Sequence, residues 1–346
     1  MTLFDNSKIS TYPLAQRKSK VDVNSFAVCE ELLDSPVAYE SDELEELACR
    51  IAECSREGKP VILISGAHPI KNGLAPIFID CMERGIVTLY GTNGASAIHA
   101  FELALTGSSS ENVVEALPAG EFGMAFETGV YINQALTEGD RLGYGFGESM
   151  GRLIEDEPFR KTVLDAVFSR FSDTGTYLKP YDGFQYGDVN IFARALRSGC
   201  PATVHASIGT DITDQHANFD PGAKGRTSGR DFLILAEEVR RCAEGGVFLN
   251  IGSAVTGPEV LLKAVSMAAN TGAPPQGIFT GDFDLRPVQE ENSAGDESQH
   301  SYYLRDQKSV VNRIPGVFKG KGFYFRGDHA QTVTSLYQYI MKALNA

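Results

Sequence analysis

Residues 60–105 read PVILISGAHPIKNGLAPIFIDCMERGIVTLYGTNGASAIHAFELAL, and this stretch decides the fold. Residues 60–66 (PVILISG) are a short apolar run that ends in glycine, which is typical of a strand buried in a parallel sheet. A helical segment follows over about residues 74–84, then a second apolar run at 86–91 (IVTLYG), then a helix at about 95–105. Strand, helix, strand and helix in this order predict parallel pairing with right-handed crossovers.

The same alternation resumes in the second half of the chain. The patterning predicts further strands at 201–206, 246–251, 277–282 and 321–326. It predicts helices at 41–56, 123–138, 160–171, 188–198, 229–242, 258–270 and 331–344. We therefore predict an α/β fold, a Rossmann-like parallel sheet with helices on both faces.

The domain organisation predicted from this pattern is simple. Residues 1–40 form an N-terminal arm, irregular over its first 25 residues, and residues 41–346 form one α/β nucleotide-binding domain. Insertions interrupt that domain at about 107–185 and 286–320. We expect no clear strand in residues 107–155 and a polar loop at 290–301.

Composition and charge exclude several classes of protein. The chain has 346 residues, with 31 Lys and Arg against 45 Asp and Glu, so its net charge is −14. That balance argues against a broad nucleic-acid footprint and against an anionic membrane surface. No run approaches the roughly 18 apolar residues of a membrane span, and residues 1–20 lack the apolar core of a signal peptide. Six scattered cysteines without a CxxC pair predict reduced thiols, so we expect a cytoplasmic protein.

Glycine and small polar residues gather where the predicted strands end. They occur at residues 65–68 (SGAH), 91–96 (GTNGAS), 207–211 (SIGTD) and 250–254 (NIGSA). Ligands of an open parallel sheet bind beyond the carboxyl ends of its strands, and glycine lets backbone amides approach a phosphate. These four segments predict a nucleotide or a similarly anionic ligand. Neither GxGxxG after a strand nor a P-loop is present, which disfavours a standard Rossmann dehydrogenase and a P-loop NTPase.

Several of these segments resemble the deoxyhypusine synthase family. The run 91–105 is similar to the family's strand, glycine-containing turn and helix, and segments 201–211 and 246–270 are similar to two further strand ends. Residues 327–330 (GDHA) are similar to its last helix start. Residues 93–102 also show a weaker similarity to the archaeal-type ornithine cyclodeaminase domain. Both families imply a Rossmann-like fold that binds NAD, acts on an amine or amino acid, and assembles as a dimer or tetramer.

The chain departs from the deoxyhypusine synthase pattern at its catalytic positions. The family's catalytic lysine lies in a Trp-Gly-Lys context that is absent here, and Lys308 and Lys319 do not replace it. The family's His-His pair is replaced by Pro258-Glu259. The resemblance therefore implies a related enzyme with different chemistry, not transfer of an aminobutyl group to a protein lysine.

Candidate site residues follow from these segments. For catalysis we predict Lys71 as a base or Schiff-base lysine, Asp211 to orient a histidine or bind an ammonium group, and His216 as general acid or base. The predicted cofactor-binding residues are Asn93, Gly94, Ser108, Gly252, Ser253 and Asp282. The predicted substrate-binding residues are His68, Glu127 and Glu148.

Two other functions remain open from the sequence. A nucleotide-binding sensor or scaffold would bind the ligand without turnover. A metal-dependent hydrolase or lyase would use imidazole and carboxylate ligands from His68, His99, Asp211 and His216, although no ordered ligand spacing supports it. The leading prediction is an NAD-dependent enzyme of transferase or lyase type whose partner is a small-molecule amine or amino acid. Asp284, Glu121 and the pair His99 and Glu102 are secondary candidates.

Overall fold

The fold is built on a six-stranded parallel sheet with the order β5–β3–β2–β6–β7–β8. The computed structural model describes residues 1–287 and 303–346. The strands of this sheet are β2 (Val61–Ser65), β3 (Leu89–Thr92), β5 (Ala202–Val204), β6 (Val247–Ile251), β7 (Phe279–Asp284) and β8 (Lys321–Arg326). The predicted α/β fold with a Rossmann-like parallel sheet is confirmed.

Fourteen α-helices are found in the described residues. They are α1 (Cys29–Asp34), α2 (Asp42–Glu57), α3 (Ala67–Lys71), α4 (Ala75–Glu83), α5 (Gly94–Thr106), α6 (Val113–Ala116), α7 (Ile132–Leu142), α8 (Phe146–Glu155), α9 (Glu157–Arg170), α10 (Ile191–Ser198), α11 (Pro221–Arg241), α12 (Thr256–Asn270), α13 (Ile314–Val317) and α14 (His329–Asn345). Over residues 1–287 and 303–346, no helix is both long and apolar enough to cross a membrane.

The two faces of the sheet pack against separate hydrophobic clusters. Strand β2 is buried along its whole length, and its side chains alternate between the faces. Val61 and Leu63 belong to the larger cluster, with helices such as α2 and α14, whereas Ile62 and Ile64 belong to the cluster beneath α11 and α12. Because both faces are covered, the strand reads as a continuous apolar run in the sequence.

The chain leaves the centre of the sheet in two directions. It runs from β2 outward to β3 and β5, and then returns to β6 and continues through β7 to β8. The strand order therefore reverses between β2 and β6. In open α/β sheets this reversal opens a crevice at the carboxyl ends of the two strands.

The arm contains a strand that the sequence did not predict. Strand β1 (Ser19–Asp22) pairs antiparallel with β4 (Ser108–Glu111), with Ser19 opposite Glu111. The predictions of an irregular arm and of no strand within 107–155 were wrong at these positions. The sequences SKVD and SSSE carry almost no apolar alternation, so their pairing is not visible in the local pattern.

Two helix boundaries also differ from the prediction. Helix α11 begins at Pro221, eight residues before the predicted start, because Asp220 caps it and its glycines masked the helical pattern. The predicted helix at 123–138 is instead a π-helical turn, Glu127–Tyr131, followed by α7. The polar loop predicted at 290–301 lies outside the described residues.

Candidate nucleotide crevice and neighbouring cavity

Two glycines meet where the strand order reverses. The Gly66 amide donates a hydrogen bond of 2.9 Å to the Ile251 carbonyl, which extends the pairing of β2 and β6 by one residue. A Cβ atom at Gly66 would lie 2.1 Å from the carbonyl oxygen of Gly252. Gly252 itself has φ +65°, a left-handed conformation that glycine adopts without strain. Both positions therefore require glycine, one for space and the other for backbone conformation.

Two histidines stand beside this glycine pair. The rings of His68 and His329 are 5.9 Å apart between centroids, in an edge-to-face arrangement. A Cβ atom at Gly252 would lie 2.7 Å from Cε1 of His329, so the imidazole lies directly against the backbone of that loop. Burial, His329 and Lys71 together lower the pKa of His68, which favours its neutral form at pH 7.

A buried amide and carboxylate lie at the ends of β6 and β7. Asn250 donates from Nδ2 to Asp282 Oδ1 at 2.7 Å and to the Ser253 carbonyl at 2.9 Å. The remaining oxygens of Asn250 and Asp282 have no hydrogen-bond partner among the described residues. Burial, with the neighbouring Asp306 carboxylate, raises the pKa of Asp282 well above its ordinary value. The side-chain oxygen of Ser253 accepts from the Gly257 amide at 2.9 Å and so caps α12.

The N-terminus of α5 is occupied by a carboxylate. A Cβ atom at Gly94 would lie 2.1 Å from Asp211 Oδ2, so this side chain covers the first residue of the helix. Lys224 Nζ bonds Asp211 at 2.8 Å and Asp214 at 2.6 Å, and its side chain is 1% exposed. Asn93 caps the same helix by accepting from the Ser96 amide at 3.0 Å. A phosphate placed here would meet the negative charge of Asp211.

A cavity of about 310 Å³ lies next to Asp211, between α5, β4 and the arm. Its charged and titratable lining residues are Arg17, His99, Glu102, Glu111 and Asp211. Its walls are otherwise largely apolar, formed by Ala95, Ile98, Val113, Phe122 and Ile212. Carboxylates therefore outnumber cations around this cavity, which suits a cationic group with an aliphatic stem.

Hydrogen bonds fix the charged groups of this cavity. Glu102 accepts from Arg17 and from the hydroxyls of Ser109 and Thr128. Burial raises the pKa of Glu102, but the charge of Arg17 and the hydrogen bonds from Arg17, Ser109 and Thr128 together outweigh burial and hold this pKa below its ordinary value. Burial, with smaller contributions from Lys71 and Arg17, lowers the pKa of His99. Lys71, the last residue of α3, contributes to the lowered pKa of both His68 and His99.

The structure brings together many of the predicted site residues at the carboxyl edge of the sheet. Those residues are His68, Lys71, Asn93, Gly94, Asp211, Gly252, Ser253 and Asp282. Ser108 lies instead in β4, where its amide and hydroxyl contact Thr106. Its predicted role with a cofactor is not supported by this position.

Three predicted residues have structural partners that argue against direct contact with a substrate. His216 is fully buried, and Nε2 bonds the Gly123 carbonyl at 2.9 Å; because a carbonyl only accepts, Nε2 carries the proton. Glu127 is also fully buried and accepts from the amides of Leu14 and Leu178. Glu148 pairs with Arg152 on α8, beside the start of β5 rather than its carboxyl end. The roles of His216, Glu127 and Glu148 stay predictions that these positions do not support.

Several other residues of the site were not predicted from the sequence. Arg17, Lys224 and Asn250 were not singled out, and His329 entered only as part of a helix start. Asn250 is the one polar residue within the buried strand β6, and that is a signal that could have found it. Arg17 has no such signal, since its partner Glu102 is 85 residues away in the sequence. Within residues 1–287 and 303–346, no group of three or more His, Cys, Asp and Glu side chains is arranged to hold a metal ion.

No family model and no curated protein matches this chain. Among solved structures it is similar to ArgZ, an arginine dihydrolase from the ornithine–ammonia cycle in cyanobacteria, with 12% identity and a TM-score of 0.45 over 87% of this chain and 31% of ArgZ. It is similar to AgrE in its complex with ornithine and NAD+, with 11% identity and a TM-score of 0.44 over 92% of this chain and 34% of AgrE.

A conserved LOR/SDH protein from Methanococcus maripaludis S2 is also similar, with 13% identity and a TM-score of 0.43 over 93% of this chain and 73% of that protein. The chain spans 31% and 34% of the lengths of ArgZ and AgrE. Because each TM-score is below 0.5, these structural similarities do not indicate an activity for this chain. None of the three is a deoxyhypusine synthase, so that resemblance stays a prediction.

Proposed function

We propose that this protein is an NAD-dependent enzyme that acts on an amine or amino acid, with the dinucleotide lying across the carboxyl ends of β2 and β6. The observation that carries the proposal is the contact between Gly66 and Gly252 at the reversal of strand order. That reversal is the position at which open α/β sheets of this order bind dinucleotides. The two glycines let these loops pack closely at the reversal, next to the place where the pyrophosphate would lie.

The residues around the crevice fit the two ends of such a cofactor. Gly66 and Gly252 would take the pyrophosphate, whereas α5 is the poorer position because Asp211 covers its N-terminus. Asn250, Ser253 and Asp282 would lie near the nicotinamide half, at the ends of β6 and β7. When bound, NAD supplies a hydride acceptor.

The substrate would occupy the neighbouring cavity. Glu111 accepts from the Tyr12 hydroxyl and the Gly123 amide, and no ion pair in the described residues includes it. The carboxylates of Glu111 and Asp211 would hold the ammonium group of the substrate, and the apolar walls its carbon chain. Lys71, the last residue of α3, is the proposed base, with His68 in the same helix. A cytoplasmic location and a dimer or tetramer remain predictions.

Binding of NAD to the purified protein, measured by calorimetry, tests the cofactor. We expect Gly66→Ala and Gly252→Ala to weaken NAD binding by about tenfold or more, because the added Cβ meets the Gly252 carbonyl in the first variant and the His329 ring in the second. Gly272→Ala is the matched control: Gly272 also has a positive φ, +83°, but a Cβ there meets nothing within 4 Å. Absence of NAD binding to the unmodified protein would overturn the proposal.

Turnover tests the enzymatic half of the proposal. The protein is incubated with NAD and ornithine, spermidine or related amines, which the family resemblances suggest, and NADH and new products are measured. Lys71→Met and Asp211→Asn should remove product formation while NAD binding persists. Binding of NAD without turnover of any amine would favour the sensor or scaffold over the enzyme.

A further inference from the structure

Helix α11 exposes two glycines that packing among the described residues does not explain. Gly225 and Gly229 lie one turn apart on the same face, and a Cβ atom at either would meet no described atom within 4 Å. Glycine inside a helix costs roughly 1 kcal/mol relative to alanine. Alanine would fit at both positions within the part of the chain that the structure describes, so the bare backbone strip offers a surface for a ligand.

These glycines line a cavity of about 410 Å³ beyond the carboxyl end of β5. Its other walls are the loop after β5, with His205 and Ser207, and the start of α12, with Val255 and Thr256. This volume lies within the range of cavities that hold small ligands. The cavity is at the same edge of the sheet as the Gly66–Gly252 crevice. It lies between the loop after β5, in the half formed by β2, β3 and β5, and the start of α12, which follows β6.

A buried histidine contributes the main polar group of this cavity. His205 is 7% exposed, and its Nε2 bonds the Thr203 hydroxyl at 3.1 Å. Nδ1 of His205 forms no hydrogen bond with any described residue. Burial lowers the pKa of His205 to about 4, so the ring is neutral at pH 7. A neutral imidazole with one free nitrogen can exchange a hydrogen bond with the edge of a neutral ligand.

The charges around the cavity are already paired. Lys224 lies between Asp211 and Asp214, and Glu259 pairs with Lys263 and Arg305. The start of α12 has few free amides: Gly257 donates to Ser253, residue 258 is proline, and Glu259 donates to the Val255 carbonyl. A phosphate therefore finds no unpaired cation among the described lining residues and few free amides at the start of α12. Phe232, Val255 and Val260 supply apolar surface.

We propose that this cavity binds a neutral planar nitrogen heterocycle, the adenine ring of a nucleotide, with its face on the backbone of Gly225 and Gly229 and one edge at His205. The identification of the ring as adenine rests on the proposed function. The loop after β5 lines the cavity, and the half of the sheet formed by β2, β3 and β5 is the half that would hold the adenosine end of NAD. Because Gly225 and Gly229 carry no side chains, the helix surface leaves room for a ring there. Any side chain at these positions would occupy that room.

The test measures calorimetric binding of adenosine, nicotinamide mononucleotide and NAD to three proteins. We expect Gly229→Leu to weaken adenosine binding by about tenfold or more and to leave nicotinamide mononucleotide within about twofold. Glu237→Leu, two turns further along α11 and outside the cavity, is the matched control and should leave adenosine binding within about twofold. Equal adenosine binding by the unmodified protein and Gly229→Leu, or no adenosine binding by the unmodified protein, would overturn the inference.

Two further variants keep the test decisive. If Gly229→Leu fails to fold, Val255→Trp fills the cavity from the opposite wall, and the same loss of adenosine binding is expected. His205→Phe keeps a ring of similar size without its nitrogens and should weaken adenosine by about threefold or more. Suppose that the unmodified protein binds adenosine but not NAD, and that Gly229→Leu abolishes adenosine binding. This result would overturn the proposed function and support this inference. If NAD binds and neither Gly229→Leu nor Val255→Trp weakens its binding, the proposed function would be supported and this inference would be overturned.

Discussion

Arg17 donates hydrogen bonds from both terminal nitrogens to the Glu102 carboxylate, at 2.7 and 2.6 Å. The two side chains are 5% and 1% exposed, so this is a buried ion pair that fastens the arm to α5. Removing one partner of such a pair leaves the other charge buried without compensation. The pair also forms one wall of the proposed substrate cavity.

Arg17→Ala should therefore lower the free energy of unfolding by about 3 kcal/mol or more, measured by urea denaturation. Lys18→Ala, at the next and exposed position, is the control and should change it by less than about 0.5 kcal/mol. Equal unfolding midpoints for the two variants would show that the arm is not held by this pair.

Replacement of Gly129 should destabilise the protein through His216. A Cβ atom at Gly129 would lie 2.0 Å from Cδ2 and Nε2 of the imidazole, so Gly129→Ala forces the ring away from its bond to Gly123. We expect a loss of about 2 kcal/mol. Gly316→Ala, where a Cβ meets nothing within 4 Å, is the control. In His216→Ala protein the cost of Gly129→Ala should largely disappear; additive losses would exclude this clash as the cause.

Asp231 should make stability depend on pH. Burial raises its pKa to about 7, although the amides of Gly147 and Val204 bond its Oδ2 at 2.9 and 2.7 Å. The native state then keeps a proton that the unfolded chain releases near pH 4, so stability falls as pH rises from about 4 to about 7 and stays level above that range. Over this interval the fall amounts to about 4 kcal/mol, taking roughly 1.4 kcal/mol per pH unit.

Asp231→Asn removes the titrating group while keeping the shape of the side chain. The fall in the free energy of unfolding between pH 5 and 7, measured in urea, should be smaller in this variant than in the unmodified protein by about 2 kcal/mol. Asp34→Asn, at an exposed position, should leave the pH dependence unchanged. The same slope in Asp231→Asn as in the unmodified protein would contradict the assignment.

Lys224 should be needed for the stability of the fold, because its ammonium group pairs with the carboxylates of both Asp211 and Asp214. Lys224→Met leaves Asp211 and Asp214 side by side with little exposure, and we expect a loss of about 3 kcal/mol or more in urea unfolding. Adding Asp211→Asn and Asp214→Asn should restore most of that stability. Lys263→Met breaks an exposed pair with Glu259 and should cost less than about 1 kcal/mol. No recovery in the triple variant would rule out charge burial as the reason for the loss.

The sheet could be predicted from the sequence because its strands are buried on both faces. Strand β2 is a continuous apolar run that ends in Gly66, and its burial is complete from Val61 to Ser65. Strand β4 could not be predicted in the same way, because Ser108–Glu111 (SSSE) pairs through its backbone with the arm rather than burying an apolar face. Helix α11 was shortened in the prediction because Gly222 and Gly225 indicated a loop.

The candidate site could be predicted at the level of segments but not of individual side chains. The glycines at 66 and 252 were located by their place after apolar runs. Nothing in the sequence around His216 or Glu127 indicates on which side of its segment the side chain lies, and both are buried against other backbone. The Arg17–Glu102 pair depends on a long-range approach of the arm, which local patterning does not encode.

The arm described above also has a consequence for the order of folding. The Leu14 amide bonds Glu127, and Arg17 bonds Glu102, across separations of 113 and 85 residues. During synthesis the arm leaves the ribosome before these partners, which do not exist until about a hundred further residues have followed. Closing so long a loop costs chain entropy before the contacts repay it. The arm therefore waits for later segments, and a nascent chain halted before Glu127 leaves it without that partner.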